Sequence, residues 1–148
     1  MIVDTSALVA ILLGEPEAPK LLELLAAAPV RRLSAASYVE LAAVIDGRRD
    51  PALSGPLDTK LRSLKIELAP FTPTQAHLAR SAYQLFGRGS GHPARLNMGD
   101  CFAYALSREL GEPLLFKGRD FALTDLELVN EPMRERRLSE ILAGYSAS

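Results

Sequence analysis

LNMGDCFAYALSRELGEPLLFKGRDF, residues 96–121, carries the pattern that decides the fold. Cys101 to Leu110 is an apolar stretch of helical length, and Gly111 stops it. Leu114 to Phe116 is a short apolar run of the buried-strand type, after which Lys117-Gly-Arg-Asp120 turns the chain. The N-terminus pairs the same parts in the opposite order. MIV is a brief β-branched run closed by Asp4, and Leu8, Ile11 and Leu12 then recur at helical spacing until Gly14.

Between these ends the same alternation continues. Glu17 to Ala28 predicts a helix halted by Pro29, and Val30 to Leu33 a short strand. Ser34 or Ser37 caps a helix bearing Val39, Leu41, Val44 and Ile45, which Gly47 ends. Asp50 to Pro56 reads as punctuation, Leu57, Leu61 and Leu64 as a helix, and Ile66 to Phe71 as a strand. Thr72-Pro73 opens a helix to about Phe86, Gly87 to Met98 forms a long loop, and Leu126 to Val129 predicts a last strand. Strands alternating with helices imply an α/β fold, a parallel sheet covered by helices on both faces. The 148 residues fit one domain without repeats or linkers, and residues 131–148 read as an amphipathic helix or a partly ordered tail.

A 48% hydrophobic and 24% charged composition is that of a globular chain, and no apolar run reaches the roughly 20 residues a membrane helix needs. The first residues lack the basic segment of a secretory signal, so a soluble, cytoplasmic protein is expected. Cys101 stands alone, which excludes an internal disulfide framework and a Cys-rich zinc site and leaves it to core packing. A net charge of −1 does not announce a nucleic-acid binder. Basic residues nevertheless gather in loops: Arg31 and Arg32, Arg48 and Arg49, and Arg88, His92 and Arg95. His92 and Arg95, with Lys117 and Arg119, are candidates for phosphate contact or for plain solvated loops.

Four acids have ordinary readings one at a time. Asp4 and Asp100 suit helix caps, Asp120 a turn, and Glu40 a solvated helix face. Their positions relative to the strands change the reading. Asp4 and Asp120 close or follow short apolar strands, and Glu40 and Asp100 lie on flanking helices, so all four can face the crevice at the carboxyl edge of the sheet. Clustered carboxylates repel one another unless a divalent cation offsets the repulsion. Oxygen donors without Cys or His at metal spacing suit Mg2+ or Mn2+.

The blocks MIVDTSALVAILLGEPE, SYVELAAV and LNMGDCFAYALSRELGEPLLFKGRDFALTD resemble successive blocks of the PIN-domain ribonucleases, and among them the VapC-type toxins, over about residues 1–130. The resemblance implies a three-layer α/β/α sandwich around a short parallel sheet, with residues 131–148 as an extension. It implies that Asp4, Glu40, Asp100 and Asp120 are metal-binding and catalytic, that Thr5 or Ser6 supports them, that Asn97 holds its loop or touches substrate, and that Asp125 is an auxiliary acid. The activity implied is endoribonucleolytic: water activated by Mg2+ or Mn2+ attacks a phosphodiester without a covalent intermediate. The partners implied are RNA, a cognate antitoxin protein and a second copy of the chain. Two alternatives stay open on the residues: a PIN-like binding module without catalysis, and an aspartate-based phosphotransfer domain, for which Lys117 after LLF is the one suggestive feature.

Overall fold

A computed structural model describes residues 1–130. The expectation for residues 131–148 lies outside the described residues. Four strands, β1 (Ile2–Val3), β2 (Arg31–Ser34), β3 (Ile66–Ala69) and β4 (Leu114–Leu115), form one parallel sheet in the order β3-β2-β1-β4. Ile2 stands opposite Arg32 on one side and Leu114 on the other, and Arg31 opposite Ile66. The helices are α1 (Thr5–Leu12), α2 (Ala18–Ala27), α3 (Ala35–Gly47), the single turn α4 (Pro51–Ser54), α5 (Leu57–Ser63), α6 (Pro73–Phe86) and α7 (Met98–Leu110), followed by a 3-10 turn over Asp120–Leu123.

The two-residue period of a strand divides the core. Ile2 and Leu114 point into a cluster with Ala79 and Ala82 of α6, Ala103 and Leu106 of α7, and Phe116 and Phe121. Val3 and Leu115, with Leu33 of β2, point to the other side, against Leu8, Leu21, Leu25, Leu41, Ile45, Leu57 and Leu61 from α1, α2, α3 and α5. This is the three-layer sandwich expected. Burial on both faces is why β1 and β4 read as unbroken apolar runs, whereas β2 begins with the half-buried Arg31 and Arg32. Ile2, Val3, Leu8, Leu33, Leu41, Leu114 and Leu115 are fully enclosed, and each such side chain stabilises the fold by about 1.5–3 kcal/mol relative to exposure.

Several boundaries differ from the sequence reading. β3 stops at Ala69, because Pro70 has no N–H for the ladder. The predicted strand over 126–129 is reduced to one bridge, Leu114 with Leu128: Leu114 N–H donates to Glu127 O at 3.0 Å and Val129 N–H to Leu114 O at 2.9 Å. β4 is two residues long and offers no further rung. Asp50-Pro51 is more than punctuation, since Asp50 accepts from Ala52 N–H at 3.0 Å and Pro51 occupies the first turn of α4. Among the described residues no helix is long and apolar enough to cross a membrane.

Candidate active site

Asp4 continues β1 for one rung, its N–H donating to Leu115 O at 2.9 Å, before the chain turns into α1. It then caps that helix, Oδ2 accepting from Ser6 N–H at 3.0 Å. The cap reading and the site reading are therefore both satisfied by one side chain. Asp4 is only 3% exposed, and burial raises its pKa to about 6, against the hydrogen bonds of Ser6 and with repulsion from Glu40. Ser6 does a second job. Its hydroxyl accepts Lys117 N–H at 2.9 Å, so the start of α1 is tied to the exit of β4. Thr5 Oγ1 donates to Ser37 O at 3.3 Å and joins α1 to α3.

Asp100 is the third residue of α7 and half of a capping box. Asn97 Oδ1 accepts Asp100 N–H at 2.8 Å, and Asp100 Oδ2 accepts Asn97 N–H at 2.9 Å. That reciprocity starts α7 at Met98, three residues earlier than its apolar pattern suggests, and it fixes the direction of the carboxylate. Burial, opposed by the Asn97 N–H and reinforced by the charges of Asp4, Asp120 and Glu40, raises the Asp100 pKa to about 7. Asp100 thus feels all three of the other acids.

Glu40 is half-buried on α3 and reaches the start of α7. A Cβ added at Gly99 would overlap its carboxylate, so the missing side chain of Gly99 is the space Glu40 occupies. Asp120 opens the 3-10 turn after Gly118, whose φ of 107° belongs to the left-handed region, and is exposed. Among the described residues no three Asp, Glu, His or Cys side chains close into a preformed metal cage. The donors are oxygen-only and the arrangement is open on the Asp120 side. An open carboxylate set fits a hard cation that keeps several waters and takes ligands from a phosphate, and it does not fit a closed structural site.

The remaining candidates fall into two groups. Arg95, with φ of 51°, and Arg119 are exposed. The others are engaged within the fold. Lys117 is ion-paired with Glu15 and, at 3.5 Å, with Glu17. His92 Nδ1 accepts Ala94 N–H at 3.1 Å, and its ring stands edge-on to Phe86 at 4.8 Å. Asp125 accepts from Tyr104 OH at 2.7 Å and lies 3.7 Å from Arg108, toward the far end of α7 from Asp100. Asn97 holds its loop through the capping box. Cys101 packs in the core, and burial, with repulsion from Asp100, pushes its thiol up to about 12.

Two residues beside the acids stand differently from the sequence reading. Gly99 was only the neighbour of Asp100, and the signal was the GD pair itself. Ser37 is fully buried one turn before Glu40, and its hydroxyl has no hydrogen-bond partner among the described residues. Ser34, not Ser37, is the α3 cap, accepting Ala36 N–H at 3.2 Å.

The profile of the PIN domain matches residues 1–126. Ribonuclease VapC28 of Mycobacterium tuberculosis is 54% identical over 127 residues, covering 86% of this chain and 96% of that protein. The crystal structure of VapC20 from the same species, described as a Sarcin-Ricin loop cleaving toxin, superposes with a TM-score of 0.66 at 20% identity over 84% of this chain and 95% of that one. VapBC2 of Rickettsia felis, bound to a DNA fragment from its promoter, gives 0.67 at 16% identity over 86% and 95%. These two likenesses speak for the fold. The family match sets aside the aspartate-phosphotransfer alternative. With its parallel sheet order, its acids at the carboxyl edge of that sheet and these matches taken together, the chain belongs to the PIN-domain family.

Proposed function

We propose that this protein is a divalent-metal-dependent endoribonuclease and the toxin of a toxin–antitoxin pair, working in the cytoplasm with residues 1–130 as its catalytic unit. The observation that carries the reading is Asp100: held rigid by its capping box, it is repelled by Asp4, Asp120 and Glu40 together. A fold gains nothing from assembling four like charges unless something of opposite charge joins them. The names of the relatives, ribonucleases of the VapC group at 54% and 50% identity, support RNA as the substrate.

Asp4, Asp100 and Asp120, with Glu40 directly or through water, would hold the Mg2+ or Mn2+. When bound, the cation supplies Lewis-acid stabilisation of the charge that builds on the phosphodiester and makes water acidic enough to attack it. The chain's own contribution is orientation. Ser6 holds the Asp4 carboxylate, Asn97 holds that of Asp100, and the gap at Gly99 admits Glu40. Thr5 and Ser6 fasten α1 to α3 and to the β4 exit, so the two halves of the acid set cannot drift apart independently. Without a cation the same acids repel a phosphate brought up to them, so the metal serves to seat the scissile phosphate as well as to supply chemistry. Asp125 is given a structural role through Tyr104 and Arg108. A cognate antitoxin and a second copy of the chain are the proposed protein partners.

The test is RNase activity of the purified protein on a single-stranded RNA, with Mg2+ or Mn2+ and with EDTA, beside Asp4→Asn and Asp100→Asn. Cleavage that survives EDTA, or variants as active as the parent, would overturn this mechanism, and a parent that cleaves no RNA with either metal would leave a binding module without catalysis as the better reading.

A further inference from the structure

We propose that the groove between α2 and the exit of β4 is the seat of the chain's own residues 138–142, whose apolar stripe covers it. The groove has a volume of about 540 Å³ and is formed by the buried Leu21 and Phe116 and the half-buried Leu24 and Val129, with Lys117 and Asn130 beside them. Apolar side chains gathered in a hollow at the surface mark a face that takes a partner.

The occupant follows from where the chain leaves. Asn130 is the last described residue and is itself part of the groove. Its side-chain amide stands in for a strand rung: Oδ1 accepts Phe116 N–H at 3.4 Å, and Nδ2 donates to Phe116 O. The pairing that Val129 N–H makes with Leu114 O therefore ends on a side chain, and the point of departure is pinned against the groove. Residues 131–148 lie outside the described residues, and their sequence supplies the complement. Leu138, Ile141 and Leu142 recur at helical spacing, Pro132 suits a first turn and Gly144 a stop. A stripe of three aliphatic side chains has no core of its own and gains by meeting an apolar surface nearby. The seven residues from Glu131 to Arg137 can reach at most about 25 Å, and the groove begins at the tether itself. A link this short holds the stripe at an effective concentration in roughly the millimolar range, which favours it over a second copy or a separate protein. Ribonuclease VapC28 is matched over 96% of its length by 127 residues, so the extension is largely this chain's own and its contact is additional to the shared fold.

Cys101 is only 2% exposed, so one added thiol can be followed by maleimide labelling of the full chain. Leu24→Cys places that thiol in the groove, and Lys20→Cys, at an exposed position lining the same groove, replaces it if the first variant does not fold. Adding Ile141→Asp with Leu142→Asp is expected to speed labelling by about tenfold, because in the starting protein the thiol reacts only when the segment lifts. Ser139→Asp with Ala143→Asp puts the same charges off the stripe and should leave the rate within about twofold. Labelling that is equally fast with and without the stripe charges would overturn the docking and leave the groove to a separate partner. Equal acceleration by the off-stripe pair would also overturn it, since charge alone would then be responsible. A rate that rises on dilution of the full chain would assign the groove to the segment of a second copy instead. None of these readouts involves RNA cleavage, so failure here and failure of the nuclease reading are distinguishable.

Discussion

Asp100 in the first turn of α7 and Glu112 just beyond its last turn are acids on neighbouring stretches of chain, and their surroundings are opposite. Glu112 is partly buried too, but hydrogen bonds from the Met1 amino group, at 2.9 Å, and from Arg32 outweigh that burial and hold its carboxyl below the usual range. Its neighbours at that end are also partnered: Glu109 accepts from Thr72 at 3.1 Å and from Gln75, and Asp125 from Tyr104. At the other end Asp4 and Asp100 are raised, with other carboxylates adding to the penalty of burial. One end of the sheet satisfies its acids and the other leaves them in conflict. Structural acids acquire cations from the chain, whereas acids meant for a ligand do without.

The largest effect should come from removing a charge at the conflicted end. Asp4→Asn and Asp100→Asn keep the shape and the cap acceptors, and each is expected to reduce metal-dependent RNA cleavage by more than about a hundredfold, beyond what loss of a merely supporting group costs. Next is Gly99→Ala. Because the overlap is with the mobile end of Glu40, the carboxylate should swing away instead of the backbone yielding. A loss of about tenfold in cleavage with little change in Tm is expected, and the same substitution added to Glu40→Gln should cost almost nothing more. Equal additional losses in both backgrounds would mean that Gly99 acts through the backbone of α7.

The pH dependence sharpens the comparison further. Asp4 and Asp100 have folded pKa values raised to about 6 and about 7, above the ordinary carboxylate range near 4. The folded state therefore holds protons that the unfolded chain has released, and the stability these groups contribute is complete below that range and lost as pH rises through about 6 and then about 7. In EDTA the Tm should fall between pH 5 and pH 8, and Asp100→Asn should flatten that fall and raise the Tm at pH 8. An unchanged slope in the variant would show that Asp100 is not in conflict. The smallest effect belongs to the satisfied end, where Glu112→Gln should leave cleavage intact and lower stability by about 1 kcal/mol in a denaturant titration.

How much of this was legible follows from the range of the interactions involved. The order of strands and helices, the acid closing β1, and the helix stopped at Gly111 are written in nearest-neighbour terms: periodicity, proline and glycine stops, and side chains that cap the next turn. The resemblance of three blocks to PIN-domain ribonucleases then pointed to the same four acids. Boundaries were less secure where a local signal serves two ends. Asp50-Pro51 reads equally as a turn and as a helix start, and Asn97 became a cap only with Asp100 to answer it.

By itself, then, the sequence determined the α/β alternation and the burial of β1 and β4 on both faces, and it singled out four acids as candidates. Only the tertiary structure decided which acids stand together and which are neutralised, because the energy of a charge depends on neighbours brought from elsewhere in the chain. Lys117 looked free for phosphate until Glu15 and Glu17 came alongside it, and Gly99 looked incidental until Glu40 filled its space. Asp125 went to Tyr104 and Arg108, and Asp100 was left facing three carboxylates.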